Sequence, residues 1–248
     1  MAHVRVSHHA IEQPDARWLP PKVESMNQPA MSGDRRPVKS RSWKVSQALA
    51  DGLAARRISP NTISVCGMIA AVAGGVAIGC TSYVVNAERW LWLAGAIAIQ
   101  LRLQANLLDG MVAVQTGQTS RIGELFNEVP DRVSDTALLV GAGYASGGHP
   151  LLGVWAALSA MLTAYIRTTG KTAGAPMEFC GPMAKQHRMA LLTVTCVCAC
   201  LGLSSLPIST GHAVSVMTLT LWVILVGSLL TAVRRLLRIT TYLRATAP

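Results

Sequence analysis

Six long apolar segments alternate with short polar connections over most of the chain. They cover residues 62–80, 90–108, 123–145, 151–165, 189–206 and 214–233. Each is close to the ~20 residues that an α-helix needs to cross a bilayer. The segments are continuously apolar rather than alternating, which excludes a transmembrane β-barrel. Because backbone polar groups find no water partner in lipid, the pattern predicts an all-α integral membrane protein with six transmembrane helices.

Positive charge lies mainly on one side of this predicted bundle. Lys and Arg occur before the first helix, after the last helix, and in the connections that follow the second and fourth helices. The three opposite connections contribute only Arg89. By the positive-inside rule, both termini are predicted to be cytoplasmic, in a multi-pass protein of the inner (cytoplasmic) cell membrane.

The polar N-terminal part is predicted to form two segments. Residues 1–42 contain several prolines and no apolar run, which is typical of a flexible cytoplasmic tail. Residues 43–58 place Val45, Leu49 and Leu53 at helical spacing, which favours a juxtamembrane amphipathic helix on the membrane surface. A solvated linker is the alternative. Residues 59–240 are predicted to form the six-helix membrane domain.

The composition agrees with a membrane protein, and this class of protein explains the positive net charge. Hydrophobic residues make up 51% of the 248 positions and charged residues only 14%, whereas charged residues form about a quarter of a soluble domain. The net charge of +10 would suggest nucleic acid in a soluble protein. Here basic connections facing an anionic lipid surface explain it, and aromatic residues, at 5%, provide little surface for base stacking. No nucleic-acid partner is predicted.

Small residues recur at four-residue spacing along the first predicted helix, at Gly67, Ala71, Gly75 and Gly79. Such a stripe allows two helix backbones to approach closely. The sequence leaves open whether the partner helix belongs to the same chain or to a second copy.

Polar residues inside the apolar segments concentrate in the second and third predicted helices. Near the end of the second helix, one face carries Arg102, Asn106, Asp109 and Ala113. The start of the third helix shows the same spacing in Gly123, Asn127, Asp131 and Asp135. A charge at the bilayer centre costs ~2.5–3.5 kcal/mol on insertion scales, so such residues indicate function. Because a short connection makes these helices antiparallel neighbours, their polar faces are expected to meet at the cytoplasmic side.

These two faces predict a site for a metal ion and a phosphate. Carboxylate and amide oxygens suit magnesium or manganese, which also bind substrate phosphates. Gly110 and Gly123 remove side chains where a bulky ligand would approach the backbone. Interhelical hydrogen bonds and ion pairs, for example between Arg102 and Asp109, are an equally open interpretation of the same residues.

The spacing resembles the signature of the CDP-alcohol phosphatidyltransferase family, D-x2-D-G-x2-A-R-x8-G-x3-D-x3-D. The positions that match in type and separation are Asp109, Gly110, Ala113, Gly123 and Asp131. Residues 59–64 resemble the lead into the family's first membrane helix, and the resemblance covers residues 43–240. Three positions depart from the signature: Asn106 and Asn127 replace aspartates, and Val114 replaces the arginine.

The resemblance implies an enzyme of phospholipid biosynthesis. Such an enzyme transfers a phosphatidyl group from CDP-diacylglycerol, or a related CDP-alcohol, to an acceptor alcohol and releases CMP. It implies Mg²⁺ or Mn²⁺ as cofactor and a homodimer in the bilayer. It assigns the catalytic base to Asp131, the metal ligands to Asp109, Asp131, Asn106 and Asn127, and the nucleotide contacts to Gly110, Ala113 and Gly123.

The two asparagines leave the number of bound ions open, because they bring oxygen atoms without negative charge. Glu124, Glu128 and Asp135 are the carboxylates that would compensate. Around the connection after the fourth helix, Arg167, Lys185 and Arg188 suit a phosphate-bearing acceptor, although ordinary positive-inside topology also explains them.

Two other functions follow from the same sequence. A family member whose chemistry has drifted would act as a lipid-binding or partner membrane subunit, as Asn106, Asn127 and Val114 suggest. A small transporter or scaffold is the third hypothesis, and the lack of evident inverted repeats counts against it.

Overall fold

The structure, a computed structural model, describes residues 44–117, 121–207 and 213–246. The predicted tail 1–42 and the side chain of Glu124 lie outside the described residues. The described helices are α1 (Lys44–Ala55), α2 (Pro60–Cys80), α3 (Glu88–Gln115), α4 (Arg121–Tyr144), α5 (Pro150–Thr172), α6 (Lys185–Cys200) and α7 (Val216–Thr246). A 3-10 turn, Val85–Ala87, precedes α3, and the short strands β1 (Ser205–Pro207) and β2 (Ala213–Ser215) pair antiparallel between α6 and α7.

Each of the six apolar segments contains a helix, so the all-helical prediction is confirmed apart from the small β1–β2 ribbon. Helices α3, α5 and α7 continue beyond their apolar segments. Hydropathy identifies the part of a helix that can lie in lipid, whereas the backbone hydrogen bonds of a helix can continue into polar residues. Helix α6 ends early at Cys200, and Leu206 lies in β1 instead.

Four of the described helices are long and apolar enough to cross a membrane: α2, α3, α5 and α7. Helix α6 has 16 residues, and at 1.5 Å per residue such a helix is shorter than a hydrocarbon core of ~30 Å. Helix α4 carries Glu128, Asp131, Arg132 and Asp135, which lower its hydropathy. Six crossings therefore remain a prediction, whereas a multi-pass membrane protein follows from the four apolar helices.

The outer surface of these helices is apolar, as lipid contact requires. Large side chains on α2, α3, α5 and α7 point outward, among them Ile69, Ile97, Trp155 and Leu230, each more than half exposed. A soluble protein rarely exposes so many large apolar side chains together. The polar residues that are buried lie between the helices instead.

Helix α2 packs tightly between α3 and α4 within the same chain. A Cβ atom at Gly75 would collide with the backbone of Ala137 in α4, and one at Gly79 would lie 3.5 Å from the carbonyl oxygen of Gly141. Gly67 faces α3 in the same way, against Ala105. The small-residue stripe is therefore a packing surface inside the subunit, which answers the question that the sequence left open.

Helix α1 lies against the C-terminal part of α3. Ala50 packs in a small apolar cluster with Ile63, Ala105 and Val112, and Gln115 donates a 2.8 Å hydrogen bond to Asp51. Val45 and Leu49 face outward, 70% and 50% exposed. A helix thus occupies the segment 44–55, and its location on a membrane surface stays a prediction.

Candidate functional site

The centre of the candidate site is Asp131, near the middle of α4. Its Oδ1 atom accepts hydrogen bonds from Nη2 of Arg102 on α3 and, at 2.5 Å, from Nζ of Lys185 on α6. Arg102 is almost completely buried, whereas Asp131 and Lys185 retain some exposure. Three helices therefore meet at one carboxylate that two cations hold in place.

Asp109 forms the second half of the site. Ser64 on α2 donates a 2.5 Å hydrogen bond to its Oδ2 atom, and both residues are buried. Asp109 and Asp131 are near enough for their carboxylates to interact electrostatically, and Asn106 interacts with Asp131. The structure thus brings together the polar faces of α3 and α4, as the three- and four-residue spacing predicts.

Two oxygen atoms in this cluster are buried without a hydrogen-bond partner among the described residues. They are Oδ1 of Asn106 and Oδ1 of Asp109, which lie one turn apart on α3. Leaving a buried acceptor unpaired costs ~1–3 kcal/mol, so each such atom is available to a ligand. Both are hard oxygens of the kind that magnesium and manganese prefer.

These donors fit one divalent cation. The described residues contain no cluster of three or more His, Cys, Asp or Glu side chains arranged to hold a metal. The available set is instead two aspartates and one asparagine amide, and magnesium commonly binds through few protein ligands with water and phosphate completing its shell.

The remaining residues predicted from the signature lie around this cluster. Asn127 is exposed on α4, one turn before Asp131, and Val114 is exposed on α3. Gly110, Ala113 and Gly123 are partly buried at the same ends of these two helices. The structure places Asn106, Asp109 and Asp131 together, whereas Asn127, one turn before Asp131 on the same face of α4, is exposed.

The two described carboxylates that the sequence offers as replacements are engaged in ion pairs. Glu128 accepts hydrogen bonds from Arg132, at 2.6 Å, and from Arg167 on α5, at 2.5 Å. Asp135 accepts a 2.9 Å hydrogen bond from Arg188 on α6, and both side chains are buried.

The three basic residues predicted to recognise the acceptor also line α4, but with different exposure. Arg167 and Lys185 are partly exposed, and the guanidinium of Arg167 also lies 5.5 Å from the ring centre of Phe179. Arg188 is only 2% exposed and donates a second hydrogen bond to the carbonyl of Met183.

The connection between α5 and α6 contains one thiol beside this region. Burial, together with the neighbouring Glu178, raises the pKa of Cys180. Its thiol is therefore protonated at neutral pH and is a poor nucleophile. Nearby, the Nδ1–H group of His187 donates to the carbonyl of Pro182 at 2.8 Å.

Two contacts of the site were not predicted from the sequence. The sequence suggests Asp109 as the ion-pair partner of Arg102. In the structure, the guanidinium of Arg102 donates its hydrogen bond to Asp131 instead. Ser64 was noted only as part of the segment that leads into the first helix. Ser64 is a hydroxyl residue near the start of an otherwise apolar helix, at the end of the bundle where the acidic cluster lies. That position is the signal in the sequence that identifies Ser64 as part of the site.

The relatives of this chain include several synthases of inositol phosphate lipids. The chain is 28% identical over 190 residues to a phosphatidylinositol phosphate synthase of Streptomyces avermitilis, covering 74% of this chain and 73% of that protein. It is 30% identical over 112 residues to an archaetidylinositol phosphate synthase of Aeropyrum pernix, covering 44% and 57%. No protein-family model matches the chain.

Solved structures agree at the level of the fold. A Mycobacterium tuberculosis phosphatidylinositol phosphate synthase with CDP-DAG bound superimposes with a TM-score of 0.65 at 20% identity, over 80% of this chain and 95% of that one. The same enzyme in complex with manganese and citrate gives a TM-score of 0.64, also at 20% identity, over 79% and 89%. The chain thus has the fold of a membrane-embedded phosphatidylinositol phosphate synthase and is similar in sequence to enzymes of that kind.

Proposed function

We propose that the protein is a CDP-alcohol phosphatidyltransferase of phospholipid biosynthesis. It transfers a phosphatidyl group from CDP-diacylglycerol, or a related CDP-alcohol, to an acceptor alcohol and releases CMP. The observation that carries this proposal is the meeting of Asp109, Asn106 and Asp131 between α3 and α4, with two buried oxygens unpaired. The similarity to phosphatidylinositol phosphate synthases supports it.

The residues of the cluster have distinct tasks in this reaction. Asp109 and Asn106 would hold Mg²⁺ or Mn²⁺ together with Asp131, and Ser64 fixes the orientation of Asp109 through its 2.5 Å hydrogen bond. The bound ion supplies positive charge that offsets the charge developing on the leaving CMP. Asn127, one turn before Asp131, is exposed, and the partly buried Gly110, Ala113 and Gly123 would leave room for the nucleotide.

Asp131 accepts the proton of the attacking hydroxyl. The acceptor oxygen forms a new bond to the phosphorus of the phosphatidyl group, and the bond from that phosphorus to CMP breaks, with its electron pair leaving on CMP. The base lies within 2.5 Å of Lys185, so an acceptor anion bound by Lys185 brings its hydroxyl next to Asp131.

The acceptor carries a phosphate in this proposal. Glu128 and Asp131 lie one turn apart on α4, so their partners Arg167 and Lys185 approach the same side of that helix. Both cations are partly exposed and can exchange a carboxylate for a phosphate. Arg188, held by Asp135, supports Lys185 from one turn further along α6.

The reaction is tested with purified protein in lipid nanodiscs, CDP-diacylglycerol, Mg²⁺ or Mn²⁺, and a panel of free and phosphorylated alcohols. We expect CMP release that needs both metal and acceptor, and its loss in Asp131→Asn. Asp51→Asn is the matched control, because that exposed carboxylate on α1 accepts a hydrogen bond from Gln115 and lies outside the cluster. Equal turnover by Asp131→Asn and the unmodified protein would remove Asp131 from the chemistry.

A second function is favoured by the ion pairs at Asp131. Since Arg102 and Lys185 occupy one of its oxygens, and asparagines replace two acidic residues of the signature, the protein would serve as a lipid-binding or partner subunit. This alternative predicts that CDP-diacylglycerol binds without CMP release under every acceptor and metal tested.

The setting of this activity is also a proposal. The cluster lies in the parts of α3 and α4 nearest the connection between them, which precedes Arg121, on the side where basic residues predict the cytoplasm. Both termini would lie on that side, and the homodimer implied by the resemblance would present two such sites. Accessibility of single cysteines to a membrane-impermeant reagent, introduced in successive connections, tests the six crossings and their direction.

A further inference from the structure

Arg102 is a buried cation with unused hydrogen-bond donors. Only 1% of its side chain is exposed, and its Nη2 group donates to Asp131. Its Nε and Nη1 atoms are buried and have no partner among the described residues. Because an unpaired buried donor is costly, these two N–H groups mark a position where an anion would be bound.

The surrounding helices are shaped around this guanidinium. A Cβ atom at Gly67 of α2 would lie 3.0 Å from Nη1 of Arg102 and 3.4 Å from its Cδ. Glycine at this position therefore leaves the space that the side chain fills. Arg102 interacts electrostatically with both Asp109 and Asp131. It therefore belongs to the same cluster as Oδ1 of Asn106 and Oδ1 of Asp109, which have no partner among the described residues.

The charges of the cluster set how many metal ions it accepts. Asp109 and Asp131 bring two negative charges, and Arg102 and Lys185 bring two positive charges. Before an acceptor phosphate binds, a diphosphate diester adds two negative charges, which one divalent cation balances. A second divalent cation would leave two positive charges uncompensated in a largely buried site, where unpaired charge is strongly unfavourable.

We propose that Arg102 binds phosphate oxygens of the liponucleotide through N–H groups that have no partner among the described residues, and that its charge replaces a second divalent cation. The inference rests on the proposed function, since the diphosphate is that of its substrate. The site then holds one ion, on Asp109, Asn106 and Asp131. Guanidinium suits this task because it is always charged and presents several donors in a fixed plane.

The number of ions is measured directly on the unmodified protein. Mn²⁺ binding is followed by electron paramagnetic resonance in nanodiscs, with and without CDP-diacylglycerol. We expect one Mn²⁺ per chain; two ions, or none, would overturn the inference. Arg102→Gln combined with Asn106→Asp and Asn127→Asp exchanges the cation for two carboxylates, and we expect that variant to bind a second Mn²⁺.

The phosphate contact is measured as affinity for CDP-diacylglycerol. Arg102→Gln is expected to weaken binding about 10- to 100-fold, the range of a charged hydrogen bond, and Arg102→Lys to weaken it less. Arg235→Gln is the matched control, because Arg235 is a buried arginine on α7 that donates to the carbonyls of Cys180 and Thr163. Unchanged affinity in Arg102→Gln would contradict the contact.

The two proposals fail in different ways. The protein could release CMP while it binds two Mn²⁺ ions, or while its affinity for CDP-diacylglycerol does not depend on Arg102. Either result would support phosphatidyl transfer and contradict only the proposed role of Arg102. Absence of CMP release with every acceptor would remove the proposed function, while one bound Mn²⁺ and an Arg102-dependent affinity would still establish the binding site. If Arg102→Gln does not fold, the ion count of the unmodified protein and the Arg102→Lys affinity still decide the question.

Discussion

Ser64 on α2 donates a 2.5 Å hydrogen bond to Asp109 on α3, and both side chains are buried. The bond occupies Oδ2 of Asp109 and leaves Oδ1 without a partner among the described residues. A hydroxyl that holds one carboxylate oxygen directs the other one toward a ligand. Ser64 therefore connects the packing of α2 to the chemistry of α3.

Removing this hydroxyl should weaken metal binding without unfolding the protein. We expect Ser64→Ala to lower the affinity for Mn²⁺ by ~10- to 100-fold, as is usual for a residue that orients a metal ligand. Titration of Mn²⁺ measured by calorimetry or paramagnetic resonance provides the test.

The control for this variant is another buried serine. Ser228 on α7 is 0% exposed, and its Oγ atom has no partner among the described residues. Ser228→Ala should leave the Mn²⁺ affinity unchanged and keep or slightly raise the stability, since it removes an unpaired polar atom. An equal loss of Mn²⁺ affinity in both variants would mean that Ser64 has no special relation to the metal.

The buried pair of Asp135 and Arg188 should act on stability. Asp135→Asn leaves the Arg188 guanidinium buried without its carboxylate, and breaking such a pair typically costs ~3–5 kcal/mol. The double variant Asp135→Leu with Arg188→Met removes both charges and should recover most of that loss. Thermal unfolding in detergent, read as a double-mutant cycle, measures the coupling.

A metal-binding role of Asp135 would give a different result for the Asp135→Asn variant. If Asp135 instead replaced a missing metal ligand, Asp135→Asn would lower the affinity for Mn²⁺ with little change in unfolding temperature. The ion pair favours the structural role, because Arg188 holds Oδ2 of Asp135 at 2.9 Å and also donates to the carbonyl of Met183. Oδ1 of Asp135 is buried without a partner among the described residues, so the Mn²⁺ affinity of the variant is the deciding measurement.

The exposed cations should affect the acceptor more than the liponucleotide. Arg167→Gln removes a cation that is 16% exposed beside Glu128, and we expect the KM for a phosphorylated acceptor to rise about tenfold, the loss of a charge-assisted hydrogen bond. The KM for CDP-diacylglycerol should remain within twofold. Arg244→Gln, an exposed position near the end of α7, is the control. A rise confined to the KM for CDP-diacylglycerol would place Arg167 at the nucleotide instead.

The sequence predicted the helices and one face of the site for physical reasons that do not depend on tertiary contacts. Lipid forces apolar segments into helices, and three- and four-residue spacing places Asn106 and Asp109 on one face. The partner of Arg102 was not predictable in this way, because a long side chain reaches residues on several neighbouring helices. The end of α6 was missed because Leu206 is as apolar in the β1 strand as in a helix.

The close approach of α2 and α4 should be sensitive to a single methyl group. Gly75 lies against the backbone of Ala137, so its substitution by alanine must separate the two helices or shift them along each other. We expect Gly75→Ala to destabilise the protein by ~1–3 kcal/mol, the usual cost of overpacking. Because α2 also carries Ser64 and α4 carries Asp131, the same shift should lower the affinity for Mn²⁺.

Gly52 on α1 provides the matched substitution. A Cβ atom there meets nothing within 4 Å, and alanine is favoured over glycine inside a helix by ~0.5–1 kcal/mol. Gly52→Ala should therefore raise the unfolding temperature in nanodiscs, while Gly75→Ala lowers it. Equal stability of the two variants would show that α2 and α4 can separate without cost, and the site between α2, α3 and α4 would then not depend on their contact.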